Sequence, residues 1–147
     1  MRRKQKIEGP TNAIAIDINK EKLDFIKKKW RIITVAIADK DSILFTDNNF
    51  DYVLCIEVLE HLSNPEKTIS EISRVLKPYG KVVLATPDYN KILWHIAEKF
   101  TPYKEEHVTK FTKEKLEEMC KKYNLIPLRH KYIANCDLVE EFVKISW

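Results

Sequence analysis

Hydrophobic positions in this chain come in short blocks, most of them followed by a stretch with helical spacing. The first block is Ala13-Ile14-Ala15-Ile16, closed by Asp17. A helix is expected after it, with Asn19 as N-cap and Leu23, Ile26 and Trp30 on one face. The second block runs from Ile32 to Ala38 and is closed by Asp39. A polar stretch leads to the third, Tyr52 to Ile56. The next helix has clear start signals: Asn64 at the cap, Pro65 in the first turn and Glu66 after it. Ile69, Ile72, Val75 and Leu76 give it an apolar face, and Pro78-Tyr79-Gly80 forms a turn that stops it. The fourth block, Val82-Val83-Leu84-Ala85, ends at Thr86-Pro87-Asp88.

Short apolar blocks without polar alternation read as strands buried on both faces. Interleaved with helices, they predict βαβ units and a mostly parallel α/β sheet. Further along the pattern loosens. Tyr89 to Phe100 reads as a helix with Ile92, Leu93, Ile96 and Phe100 on one side, and Thr101 to Lys110 as a loop. Thr112 caps a helix that reaches Tyr123. Leu125–Ala134 and Leu138–Ile145 read as a closing pair of strands, although Leu138-Val139-Glu140-Glu141-Phe142-Val143 also fits helix spacing. No repeat, low-complexity tract or domain boundary interrupts the chain. One domain over residues 1–147 is expected, with residues 1–11 as a flexible basic N-terminus.

Composition narrows the picture. A chain of 147 residues with 44% hydrophobic content can bury a substantial core. Twenty-six basic residues stand against 22 acidic ones, a net charge of +4 that is too balanced to imply a nucleic-acid partner. Arg2, Arg3, Lys4 and Lys6 read as a frayed, solvated terminus rather than a binding arm. Cys55, Cys120 and Cys136 form no close pair and no metal-ligand spacing, so the expectation is a reducing, cytoplasmic setting with no metal site. No apolar stretch is long enough for a bilayer, and no apolar segment follows the N-terminal charges.

Candidate chemistry concentrates between Phe50 and Leu62, where an apolar strand runs into Glu57, Glu60 and His61. Polar groups at the carboxyl end of a parallel strand lie where open α/β sheets bind ligands. Asp17 occupies the equivalent place after the first block. Its carboxylate can accept hydrogen bonds from ribose hydroxyls, or it can be a solvated acid beside a helix N-terminus; spacing alone favours the second. Asp39 can accept from an adenine amino group or be a plain loop acid. Imidazole titrates near neutrality, so His61 can serve as a base or can orient its loop by a backbone hydrogen bond. Glu60 reads as structural. His107 is a weaker candidate in a loop, and His95 and His130 read as ordinary helix and strand positions.

The order and spacing of several runs resemble the class I S-adenosylmethionine-dependent methyltransferases of the type 11-like kind. Asp39 to Phe45 and Asp47-Asn48-Asn49-Phe50-Asp51 resemble the adenine-contact stretch ahead of the fourth strand. Glu57-Val58-Leu59-Glu60-His61-Leu62 is similar to the motif after that strand. Arg74-Val75-Leu76-Lys77-Pro78-Tyr79-Gly80 resembles the turn into the fifth, with Tyr79 where a second glycine is common. Glu106-His107-Val108-Thr109-Lys110-Phe111-Thr112 resembles a segment before a late helix.

The resemblance implies a Rossmann-like fold and S-adenosylmethionine as cofactor. It places Asp17 on the ribose, Asp39 on the adenine amine and the Lys40 backbone against the ring. Ile56 and Glu57 would line the methionine and methyl side, with His61 as the catalytic candidate. The acceptor would be a small molecule or an unidentified substrate, chosen by the stretch from Tyr89 to Lys110 with Trp94, Phe100 and Tyr103. A homodimer or partner chain is compatible with this reading.

One departure stands out. The resemblance calls for a strand and a Gly-rich loop roughly 20 residues ahead of the acidic residue. Only 16 residues precede Asp17, and they contain one glycine, Gly9, followed by Pro10. The first βα unit is therefore expected to be missing. A catalytically degenerate homologue acting as a binding or scaffold subunit is the alternative this departure raises. With that strand gone, the strand ending at Asp17 is expected to pair directly with the Tyr52–Ile56 strand.

Overall fold

The computed structural model describes residues 13–30, 33–36, 43–100 and 107–146. The chain divides into two compact units, residues 1–40 and 41–147. In the first, β1 (Ile14–Asp17), α1 (Lys20–Trp30) and β2 (Ile33–Ala36) make one βαβ unit. The two strands pair in parallel, Ile14 opposite Ile33 and Asp17 opposite Ala36. Asn19 caps α1 as expected: its side-chain oxygen accepts the Lys22 N–H at 3.1 Å. Among the described side chains of the helix, Leu23 is buried.

The second unit contains β3 (Phe50–Ile56), a 3-10 turn (Leu59–His61), α2 (Pro65–Val75), β4 (Leu76–Pro87), α3 (Ile92–Phe100), α4 (Lys113–Lys121), β5 (Leu125–Ile133) and β6 (Asp137–Lys144). Its sheet has the order β3-β4-β6-β5. Through the α2 crossover, β3 and β4 lie parallel, whereas β6 runs antiparallel to both neighbours. This sheet is thus mixed rather than mostly parallel. The physical cause is the short link from β5 to β6, in which Ala134 and Asn135 take φ values of 47° and 61°. So tight a connection can only make a hairpin. It also resolves the ambiguity at Leu138–Val143 in favour of a strand.

Strand pairing is described within each unit. Among the described residues β1 pairs with β2 in the first, and β3 pairs with β4 in the second. In each unit one crossover helix carries the chain to the parallel partner: α1 between β1 and β2, α2 between β3 and β4.

Helix α2 follows the sequence closely. The Asn64 side chain accepts the Lys67 N–H, and Pro65 opens the first turn. The turn at Pro78-Tyr79-Gly80 is present, but as an excursion inside β4. Leu76 already pairs with Phe50, and pairing resumes at Lys81 opposite Tyr52. Tyr79 takes φ 63°, a left-handed conformation that a non-glycine residue rarely adopts. At Gly80 a Cβ would sit 2.8 Å from the Lys77 carbonyl oxygen and 3.2 Å from that of Phe50, so the close approach of backbone requires glycine.

The core lies between one face of this sheet and helices α2 and α4. Cys55, Leu84, Leu138 and Phe142 from the sheet meet Ile69, Ile72, Leu116 and Cys120 from the helices, with Leu59 and Phe111 from the loops. Burial pushes the Cys55 thiol up to about 12, which leaves it an inert core residue as expected. Helix α3 begins at Ile92 rather than Tyr89; it buries Trp94 while Ile92, Leu93 and Ile96 stay exposed. No helix among the described residues is long and apolar enough to cross a membrane.

Candidate active site

The site grows from the end of β3. The Glu57 N–H still donates to the Ala85 carbonyl at 3.0 Å, but its backbone has already swung to φ 52°. That conformation is strained for glutamate and turns the chain sharply off the sheet. The fully buried Leu59 then anchors the 3-10 turn in the core. As a result the neighbouring Glu60 carboxyl is drawn fully inside.

Glu60 is incompletely satisfied there. Its Oε2 accepts the Thr86 hydroxyl at 3.2 Å. Its Oε1 accepts no hydrogen bond and lies 3.7 Å from His61 Nε2. The Glu57 carboxyl approaches the same group. Although Glu57 is exposed as a residue, partial desolvation pushes its pKa up to about 8, reinforced by the charge and hydrogen bond of Glu60 and by Asp137. The raised value keeps a proton on the Glu57 carboxyl near neutral pH, so Glu57 can donate toward Glu60.

A second segment closes over this turn. The Thr109 N–H donates to the Glu60 carbonyl at 2.9 Å, and the Thr109 hydroxyl donates to that of Leu62 at 2.8 Å. These bonds bring the buried His107 beside His61, with ring centroids 5.0 Å apart. The Tyr89 hydroxyl and His107 Nδ1 are hydrogen-bonded at 2.8 Å. Trp94 completes an aromatic wall, 5.5 Å from the His107 ring and 5.9 Å from that of Tyr89.

Of the residues singled out in the sequence, Glu57, Glu60, His61 and His107 thus come together. Ile56 ends β3 and is exposed on the face opposite the core. Asp17 lies in the first unit, where its Oδ1 accepts the Asn19 N–H at 2.8 Å and shapes the entry into α1. Asp39 and Lys40 lie outside the described residues. Sequence analysis assigns no individual role to Thr86, Tyr89 or Asp137, because nothing in their spacing says that they meet the Glu57–His61 turn or His107. Arg74 also gains a specific role. Its guanidinium donates to the carbonyls of Ile43 and Phe45 and to Glu71 and Asp47, fixing the loop before β3. A shallow groove of about 390 Å³, lined by Tyr52, Val83, Lys131 and Val139 among others, shares no residue with this group.

Comparisons with known proteins converge on one family. The model of the methyltransferase domain matches residues 4–84, more than half of the chain. An uncharacterized protein of Methanocaldococcus jannaschii, MJ1123, is 39% identical over 80 residues, covering 54% of this chain and 38% of that protein. The ubiquinone/menaquinone biosynthesis C-methyltransferase UbiE of Cupriavidus metallidurans is 34% identical over 97 residues, covering 63% and 39%. The chain therefore spans under two-fifths of the length of these relatives. A solved SAM-dependent methyltransferase of Thermotoga maritima superposes with a TM-score of 0.75 at 16% identity, over 89% of this chain and 72% of that one.

Proposed function

Since the chain belongs to the methyltransferase domain family, we propose that it transfers a methyl group from S-adenosylmethionine to an acceptor held near Glu57 and His61. The observation that carries this reading is the turn at Glu57. It places two carboxyls and an imidazole together at the carboxyl end of β3, the position where α/β sheets take ligands. The donor set suits the cofactor, because carboxylates complement the positive charge of a sulfonium and of an amino group. When bound, S-adenosylmethionine supplies an already activated methyl group.

The protein's own part is then chiefly orientation. Asp17 is assigned to the ribose hydroxyls, Asp39 and the Lys40 backbone to the adenine, and Ile56 and Glu57 to the methionine and methyl side. His61 is the side chain able to take a proton from an acceptor that must lose one. Tyr89 and Trp94 supply an apolar wall against which an acceptor can rest.

Calorimetric titration with S-adenosylmethionine tests the reading. Binding by the wild-type chain is expected. Asp17→Ala and Asp39→Ala should each weaken it roughly tenfold to a hundredfold, the worth of a lost charge-assisted hydrogen bond. Unchanged affinity in both variants refutes those assignments, and no binding by the wild type refutes the function.

A further inference from the structure

We propose that Glu60, His61 and His107 form a binding site for one divalent transition-metal cation, with Tyr89 holding His107 in place. The proposal goes beyond the methyl-transfer reading and does not depend on it.

The geometry carries most of the argument. Ligand atoms of Glu60, His61 and His107 all lie within 4.8 Å of one another. Two ligands about 2.1 Å from a common ion are at most roughly 4.2 Å apart. A small rotation of His61, whose side chain is 42% exposed, is enough to close the set. The three form a set of two histidines and one carboxylate.

Glu60 supplies an independent observation. Its carboxyl is fully buried, yet Oε1 accepts no hydrogen bond and is turned toward the imidazole of His61. Buried carboxylate oxygens are normally paired, hydrogen-bonded or bound to metal. Here the neighbouring groups include two imidazoles, which with Glu60 make a ligand set. A cation at their centre satisfies the orphaned oxygen.

The outer contacts also fit. Metal-bound histidines usually donate their second ring N–H to a neighbouring group, which fixes tautomer and orientation. With Nδ1–H donating to the Tyr89 oxygen at 2.8 Å, Nε2 of His107 becomes the ligating nitrogen. Thr86 plays the same part for Glu60, donating to Oε2. Two imidazoles with one carboxylate select the class of Mn²⁺, Fe²⁺ and Zn²⁺ over the all-oxygen preference of Mg²⁺. Glu60 and His107 form the buried half of the site, while His61 forms the exposed half. Coordination positions on the exposed half are left for water or for an oxygen of the acceptor. Ligation and proton acceptance use the same lone pair of His61, so the bound cation takes His61 out of the role of base.

The test uses the full chain, stripped with a chelator and titrated with Mn²⁺ by calorimetry and by the loss of its free-ion paramagnetic resonance signal. One equivalent should bind, and the thermal midpoint should rise with Mn²⁺ concentration. His61→Ala, Glu60→Gln and His107→Gln should each weaken binding at least tenfold, with far-ultraviolet circular dichroism unchanged. If Glu60→Gln fails to fold, the exposed His61→Ala still decides the matter. Absence of Mn²⁺ binding to the wild type overturns the proposal. So does binding that His61→Ala and His107→Gln both leave intact, or Mg²⁺ binding as tightly as Mn²⁺.

Discussion

Glu140 and Glu141 are neighbours in β6, and they experience opposite worlds. The strand alternation sends Glu140 to the face packed by α2 and α4, and Glu141 to the face shared with Tyr52 and Val83. On the packed face, burial pushes the Glu140 carboxyl up to about 8, and its hydrogen bond and charge contact with Glu117 add to that. On the other face, hydrogen bonds from the Tyr52 hydroxyl at 2.5 Å and from Arg129 at 2.7 Å hold Glu141 below its ordinary value. The apolar residues divide the same way. Leu84 is fully buried on the helical side, while Leu54 is 68% exposed on the other. One sheet thus has a face whose interactions are set by desolvation and a face whose interactions are set by pairing at the surface.

The largest effect that probes this contrast is Leu84→Ala. It should cost about 2–5 kcal/mol of unfolding free energy in urea, because it leaves a cavity between sheet and helices. Equal losses for Leu84→Ala and Leu54→Ala would erase the distinction between the faces.

A pH series on Glu140→Gln comes next. Between the ordinary carboxyl value of 4.5 and about 8, native Glu140 holds a proton that the unfolded chain has released. Stability of the wild type should therefore fall as pH rises through that window. The charged and titratable groups around it are Glu117, Lys113, Lys121, Cys120 and Tyr132. Glu140→Gln should flatten the slope, with a higher thermal midpoint than wild type at pH 8 and parity near pH 4. Parallel curves would show that Glu140 does not titrate in this window.

Glu141→Gln should behave with the reverse sign. A depressed carboxyl contributes stability above the unfolded value of 4.5 and loses it as pH falls through its folded value. The variant should melt lower than wild type at pH 7, and the gap should close in acid. A gap that persists at pH 3 would assign the loss to packing rather than charge. Smallest of all should be Leu54→Ala, within about 0.5 kcal/mol of wild type, as for other exposed positions.

Much of the fold was legible because it is encoded locally. The caps at Asn19, Asn64 and Thr112 each accept the N–H three residues on, as their residue types predict. The apolar blocks became strands where described, and the motif at Arg74–Gly80 yielded its turn, with Tyr79 in the left-handed conformation that its place among glycine-bearing turns suggests. Family membership was legible for the same reason, since it rests on runs of adjacent residues. Strand partners were not. That β6 runs antiparallel beside β4 depends on the β5–β6 hairpin meeting that edge of the sheet, and no local pattern states it.

For the site, the sequence by itself determined that Glu57, Glu60 and His61 share one turn at a strand end, because three residues of chain cannot separate them. It could not determine that Glu60 is buried with an unsatisfied oxygen, nor that His107 returns from 46 positions away to stand against His61. Those facts depend on Leu59 drawing the turn into the core and on Thr109 tying the later segment to Glu60 and Leu62. Chemistry carried by neighbours in sequence is fixed by covalent reach. Chemistry that needs two distant segments at a shared, desolvated point exists only once the core that excludes water has been packed.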